Sequence, residues 1–492
     1  MVFIRTILIC FIFAVFAESD HKSLNPEDRD FKENIKEDYE ATKKAIKVLN
    51  VVEDELIHHS INNVTVFHKN TVESDHDSIE ENVNEDRKDN GQRAMENSGL
   101  FQGDIMFSES QAELIVEEAV ELLKDFNGTK KNDINGNKRE KRKISILAEH
   151  KWSFPIKYYV DDHIDPSLIQ RAVNLIESET CATFTRTYTI EPYIPGLRYY
   201  YGRGCWSYLG KVEPYSYQGI SLGRGCHFTG TAAHETLHAL GLNHEQERVD
   251  RDQYIKIYFQ NIEYGQEYNF VKVSALDTST YNIKYDLGSL MQYDLYAFSA
   301  NGGKTMDTIE RIYEKTPGQN ERLSFADAKI VNLHYCSHKC PNSNSIRCYN
   351  GAYIHPKDCS RCKCPQGFYG RYCDEFPPQK PGCPSPCYNV KAEQQSVHFA
   401  GPVNCTVHLR AQVGQRIRMN INKSRFYEYN KDYFCYSFNT FEVKYFADKT
   451  VTGARFCGSD YNIPVASENH HIVLIFSSIS RYSDAQVTFS RY

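Results

Sequence analysis

The sequence lacks a long apolar run beyond residue 17. The best later candidate, His471 to Ile479, is far shorter than the roughly 20 residues that a membrane-spanning helix requires, and its composition indicates a strand. We therefore expect no membrane span in the chain after residue 17.

A basic excess is also missing. The net charge is −7, and residues 18–100 hold 21 Asp and Glu against 11 Lys and Arg. Because nucleic-acid recognition requires clustered positive charge, this balance excludes that class of function. The acidic stretch 18–99 is poor in aromatic residues, so it buries too little apolar surface to offset the entropy of ordering, and we expect it to be largely disordered.

Cysteine is absent from residues 18–180, whereas 15 of the 16 cysteines lie between Cys181 and Cys457. Residues 1–17 have the basic start, apolar centre and small-residue end of a signal peptide cut after Ala17; the alternative is a buried apolar helix. Export favours disulfides. Because fifteen is odd, one thiol must be free, intermolecular or otherwise unexplained.

A basic cluster, Lys138-Arg-Glu-Lys-Arg142, lies in a polar loop and suits cleavage by a subtilisin-like convertase. The alternative is a solvated basic run. Cleavage at Arg142 would make residues 18–142 a propeptide. Within it, Ser110 and Glu113 form a capping-box pattern, which predicts an amphipathic helix after Asp104.

From Phe154 the pattern becomes globular. Alternating apolar residues from Phe154 to Val160 predict a strand, and Asp165-Pro166 opens a predicted helix that is followed by a strand near residues 182–186. This mixed order predicts an α/β subdomain.

The segment His234-Glu235-Thr-Leu-His238-Ala-Leu-Gly241-Leu-Asn-His244 carries the chemistry. Two histidines four residues apart share one helix face, so both imidazoles reach one ion. Glycine at 241 allows a left-handed exit from the helix, which brings the third histidine to the same ion. Three protein ligands leave one position open, as in catalytic zinc sites, and Glu235 is placed to act as general base.

Downstream, Ser289-Leu-Met291-Gln-Tyr293 resembles the Met-turn of the metzincins, in which a methionine lies beneath the three histidines. A lone methionine is normally core packing, and the upstream histidines reverse that interpretation. The sequence is identified as a member of the astacin family from these motifs and from Glu245-Gln-Glu-Arg248 and Leu333-His-Tyr-Cys336. The resemblance covers about residues 150–336.

The resemblance implies several roles. Tyr293 would be an additional zinc ligand at rest and would stabilise the tetrahedral intermediate, although Gln292 replaces the family's usual histidine beside it. Glu245 would contact the new N-terminus after activation. Two disulfides would follow, Cys181–Cys336 and Cys205–Cys226.

Phe101-Gln-Gly103-Asp104 resembles the inhibitory F-x-G-D segment of astacin precursors. By that resemblance Asp104 would coordinate zinc and exclude the catalytic water, and a carboxylate is a competent zinc ligand. The sequence therefore predicts latency before cleavage.

Past Cys336 the cysteine density rises, and residues 338–374 resemble an EGF-like module, with implied pairs Cys340–Cys359, Cys348–Cys362 and Cys364–Cys373. Six cysteines allow fifteen arrangements. After the linker 375–382, alternating runs in residues 383–492 predict an all-β sandwich that resembles a CUB domain, with Cys435–Cys457 paired. Cys383 and Cys387 compete for Cys405.

The sequence thus predicts a multidomain α+β protein with an astacin-like protease domain at 143–337, then the EGF-like and CUB-like modules. We expect a secreted endopeptidase with one zinc ion per subunit, activated near Arg142 by a convertase. Its substrates would be extracellular proteins or peptides, with matrix proteins among the candidates. N-glycosylation sequons lie at four positions, Asn63, Asn127, Asn404 and Asn422.

Two alternatives compete with this interpretation. Another metzincin branch, such as a matrix metalloprotease, would carry a propeptide cysteine, and residues 18–142 have none. An extracellular binding protein with a vestigial protease domain would lack catalytic positions, and Glu235 and the three histidines are all present.

Overall fold

The computed structural model describes residues 26–61, 93–126, 144–145, 151–272, 278–340, 346–427 and 434–492. Four sequence predictions lie outside the described residues: the signal peptide ending at Ala17, the basic cluster ending at Arg142, and the sequons at Asn63 and Asn127. Within the described ranges, no helix combines the length and apolarity needed to cross a bilayer.

The helices of the described ranges are α1 (Pro26–Ile61), α2 (Glu109–Phe126), α3 (Pro166–Glu179), α4 (Thr229–Ala239) and α5 (Phe325–Cys336). The strands of the N-terminal half are β1 (Ile105–Met106), β2 (Ile144–Ser145), β3 (Ile156–Val160), β4 (Phe184–Arg186), β5 (Gly196–Tyr200), β6 (Cys205–Tyr208) and β7 (Tyr217–Leu222).

Six of these strands form a mixed sheet in the order β1-β6-β7-β5-β3-β4. Strands β3, β4, β5 and β7 run parallel, and β6 is antiparallel to β7. Strand β1 adds to the free edge of β6 in the parallel direction, with Ile105 opposite Ser207. The sheet therefore ends on a segment that precedes Arg142 in the chain.

Helix α3 follows directly from its sequence. The Asp165 carboxylate accepts a hydrogen bond from the Ser167 N–H at 2.9 Å, and Pro166 occupies the first turn, where its missing donor costs nothing. Its buried side chains recur at helical spacing and join one apolar core with residues of β3, β5, β7, α4 and α5. This core supports α4 beneath the sheet.

The expectation that residues 18–99 are largely disordered is wrong for α1 and for the segment from Arg93 onward. On helix α1, the side chains of Lys32, Lys36, Lys44 and Lys47 are exposed, while Ala45 and Ile46 are buried in a cluster with Phe101, Ile105 and Phe107. The apolar partners come from distant parts of the chain. Local composition therefore gives no indication of this packing.

The capping residue of helix α2 lies two positions before the predicted one. Ser108, not Ser110, is the capping residue, because the Ser108 hydroxyl accepts from the Gln111 N–H at 3.4 Å and the Gln111 side-chain oxygen accepts from the Ser108 N–H at 3.1 Å. This reciprocal pair is a capping box with Gln in place of Glu.

The C-terminal half contains three smaller sheets and a β-sandwich. Its strands are β8 (Ile255–Ile257), β9 (Thr278–Ser279), β10 (Met306–Thr308), β11 (Tyr353–His355), β12 (Asp358–Lys363), β13 (Cys387–Asn389), β14 (Gln395–Ala400), β15 (Asn404–Arg410), β16 (Ile417–Arg425), β17 (Thr440–Lys444), β18 (Ala454–Phe456), β19 (Ser459–Ala466), β20 (His471–Ser477) and β21 (Asp484–Arg491). Pairs form between β8 and β10, β11 and β12, and β2 and β9.

The sandwich consists of a five-stranded sheet, β13-β15-β20-β17-β18, and a four-stranded sheet, β14-β21-β16-β19. Alternate residues of β16 and β21 are buried, as the period of a strand requires when one face meets a core. One continuous apolar cluster joins the interior of the sandwich to the preceding domain. It includes Phe270 and Leu287 of the preceding domain and Phe441 and Phe489 of the sandwich.

Seven disulfides connect described residues, and the six pairs expected from the sequence are among them. The seventh joins Cys383 to Cys405 and resolves the competition for Cys405. Cys387 is the free cysteine of the described ranges. Three bridges lie within residues 340–373, where so short a segment has little core of its own.

Candidate metal centre

Helix α4 and the turn after it bring three histidines together. His234 and His238 lie one turn apart on α4, and the helix ends at Ala239. Gly241 follows with φ of 96°, the left-handed conformation that glycine adopts without a Cβ penalty. The chain then reverses and places His244 opposite the helix, as the sequence predicts.

The three imidazoles converge through their Nε2 atoms. The His234 Nε2 atom lies 3.0 Å from that of His238 and 3.2 Å from that of His244. Asp104 from the segment before Arg142 completes the group, with its Oδ2 atom 3.2 Å from Nε2 of His234 and of His244. The four side chains are buried and offer one candidate metal-ligand cluster in the described part of the chain.

Backbone and side-chain acceptors fix the direction of each imidazole. The Nδ1 atom of His234 lies 2.9 Å from the Leu290 carbonyl oxygen, and that of His238 lies 2.7 Å from the Leu242 carbonyl oxygen. The Nδ1 atom of His244 lies 3.0 Å from Oε1 of Glu247. A ring that donates through Nδ1 presents a lone pair at Nε2, so all three lone pairs face one point.

This arrangement fits a tetrahedral zinc ion. Ligands about 2.0–2.1 Å from a tetrahedral centre are about 3.3–3.4 Å apart, close to the separations between the four donor atoms. Without a shared cation, three lone pairs and a carboxylate at such distances repel each other. The donor set, three imidazoles and one carboxylate, is one that zinc accepts.

The electrostatics of the cluster centre on Asp104. Burial alone would raise the pKa of this carboxyl, but the facing His244 and His238 outweigh burial and hold its pKa well below its usual range. Burial opposes the charged form of His244, yet Asp104 and then Glu247 raise its pKa to about 9. Burial lowers the pKa of His238 to about 4. Asp104 is therefore in its charged, ligand-competent form, and a cation bound at this point would displace the proton that Asp104 attracts to His244 and would use the Nε2 lone pair of that ring.

Glu235 is fully buried beside the cluster. Neither of its carboxylate oxygens hydrogen-bonds a group of the described residues. Burial, and then the charge of Asp104, raise the pKa of this carboxyl well above its usual value. Glu235 therefore offers an uncommitted carboxyl group next to the position that Asp104 occupies.

Tyr293 lies on the other side of His244, with ring centroids 4.6 Å apart. Its hydroxyl donates a hydrogen bond to the backbone carbonyl oxygen of Gln102, two residues before Asp104. In this state the hydroxyl is engaged by the F-x-G-D segment.

Gln292, which replaces the family's usual histidine, is buried under Tyr293. Its Oε1 atom accepts from the Tyr285 hydroxyl at 2.5 Å, and its Nε2 atom donates to the Tyr293 carbonyl oxygen at 3.1 Å. The Gln292 amide thus connects the Tyr285 hydroxyl to the backbone of Tyr293 through two hydrogen bonds.

Met291 is also buried, in the core that includes α4. Its carbonyl oxygen accepts a hydrogen bond from the N–H of Glu245 at 2.8 Å. The Glu245 carboxylate accepts from Arg248 at 3.0 Å and from the Asp286 N–H at 2.8 Å. The Met-turn is therefore tied directly to the residue after His244.

Sequence reasoning missed two supporting acids. Glu247 orients His244, and its place three residues after that ligand is the signal that was available. Asp327 accepts from the Ser289 hydroxyl at 2.6 Å and from the Leu290 N–H at 2.9 Å, which steadies the Met-turn. The pattern Ser324-x-x-Asp327 marks it as a capping box, although not as a partner of this loop.

The model of the peptidase family described as astacin matches residues 145–336 of this chain. The chain is 36% identical over 404 residues to zinc metalloproteinase nas-34 of Caenorhabditis elegans, an alignment that covers 80% of this chain. The chain belongs to the astacin family. Within this astacin, the three histidines, Glu235 and the Met-turn all lie in the matched segment.

Two further relatives resemble this astacin. Zinc metalloproteinase nas-37 of Caenorhabditis elegans is 32% identical over 406 residues, 81% of this chain. The alignments cover 65% of nas-34 and 49% of nas-37, so the chain spans about half to two thirds of these relatives. The structure of high choriolytic enzyme 1, a hatching-enzyme zinc protease of medaka fish, is 33% identical, with a TM-score of 0.33 over 37% of this chain and 88% of that one.

Proposed function

We propose that this chain is the latent precursor of a secreted zinc endopeptidase that hydrolyses peptide bonds in extracellular proteins. The observation that carries the proposal is the convergence of three Nε2 atoms, with Asp104 in the fourth position at 3.2 Å from two of them. A catalytic site needs that fourth position for water or substrate, so Asp104 keeps the precursor inactive.

When bound by the three histidines, a zinc ion supplies a Lewis acid that polarises a peptide carbonyl and lowers the pKa of water. Glu235 accepts a proton from the attacking water, because its carboxyl group is uncommitted and buried beside the ligands. The same carboxyl then returns the proton to the leaving amine nitrogen.

Tyr293 supplies a hydrogen bond to the substrate. In the precursor its hydroxyl donates to the Gln102 carbonyl oxygen. A scissile carbonyl in the place of that oxygen would receive the same donor while its oxygen gains negative charge, which lowers the energy of the tetrahedral state. Gln102 thus occupies the carbonyl position of the substrate.

Activation follows cleavage near Arg142 by a convertase of subtilisin-like specificity. Residues 18–142 form the propeptide, and the segment 101–104 is its inhibitory part. Phe101, Ile105 and Phe107 are buried against the protein, so the latch is held by apolar burial as well as by Asp104. Leaving the cleft requires all of these contacts to break together.

We further propose that residues 338–374 form an EGF-like module and residues 383–492 a CUB-like module, which bring the enzyme to extracellular, matrix-type substrates. Three bridges within 340–373 and the two-sheet sandwich support these assignments. Seven disulfides support secretion. Asn404 is exposed, and Asn422 is half-buried and accepts from the Thr488 hydroxyl through Oδ1 at 2.8 Å, which leaves Nδ2, the atom that a glycan joins, outside this hydrogen bond.

The experiment compares the uncleaved chain with the chain cleaved after Arg142 on a quenched-fluorescent peptide library. We expect activity only after cleavage, loss with a chelator and recovery with zinc. Glu235→Gln should lower kcat by about 10²–10⁴-fold while one zinc per chain remains bound. The Asp104→Ala variant should be active without cleavage. The Glu113→Ala variant should stay latent, because Glu113 is an exposed acid on helix α2 of the propeptide.

No hydrolysis by the zinc-loaded, cleaved chain would contradict the proposal. Activity retained in Glu235→Gln would contradict the assignment of the general base. Latency retained in Asp104→Ala would show that the latch lies elsewhere.

A further inference from the structure

The C-terminal sandwich reaches the Met-turn through one threonine. Thr452, between β17 and β18, donates its backbone N–H to Oδ1 of Asp286 at 2.9 Å and its hydroxyl to Oδ2 at 3.2 Å. Asp286 is fully buried and lies in the protease domain. Two hydrogen bonds to one buried carboxylate make this a specific contact between the two parts of the chain.

Asp286 begins the loop 286–293, here called the Met-turn loop, which ends at Tyr293. Its N–H donates to Oε1 of Glu245 at 2.8 Å, and its carbonyl oxygen accepts from the Ser289 N–H at 2.9 Å. One residue further on, the Leu290 carbonyl oxygen lies 2.9 Å from Nδ1 of His234. A displacement of Asp286 therefore moves the acceptor that orients a zinc ligand.

The contact is also sterically close. A Cβ atom added to Gly288 would lie 2.5 Å from the Cβ and Cγ2 atoms of Thr452, a separation that real Cβ atoms do not adopt. Only glycine at position 288 allows the sandwich to approach the loop at this distance.

The surrounding interface holds this contact in place. Tyr313 stacks on Phe446 with ring centroids 5.5 Å apart. The Thr316 hydroxyl oxygen accepts from the Arg455 N–H at 3.1 Å, and Lys315 Nζ lies 2.9 Å from Oδ1 of Asp460. Together with the shared apolar cluster, these contacts make the sandwich a fixed neighbour of the protease domain.

We propose that Thr452 is a positioning residue for the peptidase: it holds Asp286, and through the Met-turn loop it sets the orientation of His234 and the place of Tyr293. The sandwich is then a working part of the active site. This inference rests on the proposed peptidase function, and its test separates the two.

The test uses the full chain, cleaved after Arg142, with Thr452→Val as the perturbation. Valine keeps the shape but removes the hydroxyl donor. Thr316→Val is the control, because Thr316 is also buried at the same interface and neither belongs to the Met-turn loop nor contacts Asp286. We expect kcat to fall about tenfold for Thr452→Val with KM changed by less than about twofold, and the control to stay near wild type.

A second readout does not depend on turnover. Cobalt substituted for zinc absorbs visible light according to ligand geometry, so its spectrum reports the orientation of the histidines. We expect Thr452→Val to change the intensity or position of the cobalt bands and to release metal faster to a chelator. Thr316→Val should do neither, since loss of interface stability alone does not reorient a ligand.

A second pair of variants covers the case in which Thr452→Val does not fold. Thr452→Ser keeps the hydroxyl that donates to Asp286, and Thr452→Ala removes it; both side chains are smaller than threonine and meet no new atoms. We expect the cobalt spectrum of Thr452→Ser to match the wild type and that of Thr452→Ala to differ from it, and equal spectra for the two variants overturn the proposal. A Thr452→Val chain that matches Thr316→Val in kcat and spectrum also overturns it. If the wild-type chain is inactive, the proposed function fails, and the cobalt spectra still decide this inference.

Discussion

Helix α1 should contribute measurably to latency through one buried hydroxyl. The Thr42 side chain is fully buried, and its Oγ1 atom accepts a hydrogen bond from the Phe107 N–H at 3.0 Å. Phe107 lies three residues after Asp104 and is itself buried. Thr42→Val preserves the shape of the side chain but leaves this N–H without its acceptor.

The magnitude follows from the cost of an unpaired buried donor, about 1–3 kcal/mol. If the intact latch loses that amount, the open fraction of the precursor rises about 5- to 150-fold, since 1.4 kcal/mol is about tenfold. The assay measures residual hydrolysis of a small fluorescent peptide by a precursor in which Arg142→Ala prevents cleavage. Residual activity should rise by the same factor.

Lys47→Ala is the control, because Lys47 lies on the exposed face of the same helix. Faster hydrogen exchange at the Phe107 amide in Thr42→Val would locate the change. If Thr42→Val and Lys47→Ala have the same residual activity within about twofold, α1 does not act on the latch and the reasoning is refuted.

Burial, and then the charge of Asp294, raise the pKa of Glu96 from 4.5 to about 8. This carboxyl is therefore neutral while the propeptide is docked on the protease domain and ionises when the propeptide is released. Docking of the propeptide should weaken as the pH rises from 4.5 towards 8. Glu96→Gln should remove that pH dependence of residual precursor activity, measured between about pH 5.5 and 8. Because burial raises the pKa of the Cys387 thiol, iodoacetamide should label it slowly in the native chain and rapidly after unfolding, as read by peptide mass. Asp327→Ala should lower the free energy of unfolding by about 3 kcal/mol in urea titration, because it removes the acceptor to which the Ser289 hydroxyl and the buried Leu290 N–H donate; an unchanged midpoint would refute that role.

The sequence was sufficient to predict which four side chains lie together, while their role as zinc ligands stays a prediction. The spacing of the histidines is a local property of one helix and one turn, and Gly241 adopts the positive φ that the motif requires. The F-x-G-D segment was recognised in the same way, and Asp104 lies with the three histidines in the structure. Both the histidine motif and the F-x-G-D segment are short and contiguous, so each could be recognised from its own residues.

The support of the site was not predictable in this way. The acceptor of the Tyr293 hydroxyl is a backbone carbonyl, which has no sequence signature. Thr452 and Asp286 are 166 residues apart and meet only because two domains pack together. Helix α1 was missed for the same reason: its charged composition indicates disorder, and the apolar surface that orders it belongs to distant segments.

The continuous apolar cluster has a consequence for biosynthesis. Phe270 and Leu287 of the protease domain share it with Phe441 on β17 and with Phe489 on β21, close to the end of the chain. A ribosome therefore completes the zinc-binding motif long before the strands that cover this surface exist. We expect the protease domain to reach its final packing only after β17 and β21 have been synthesised. A chain that stops before β17 would leave the apolar surface around Phe270 and Leu287 without the side chains that cover it.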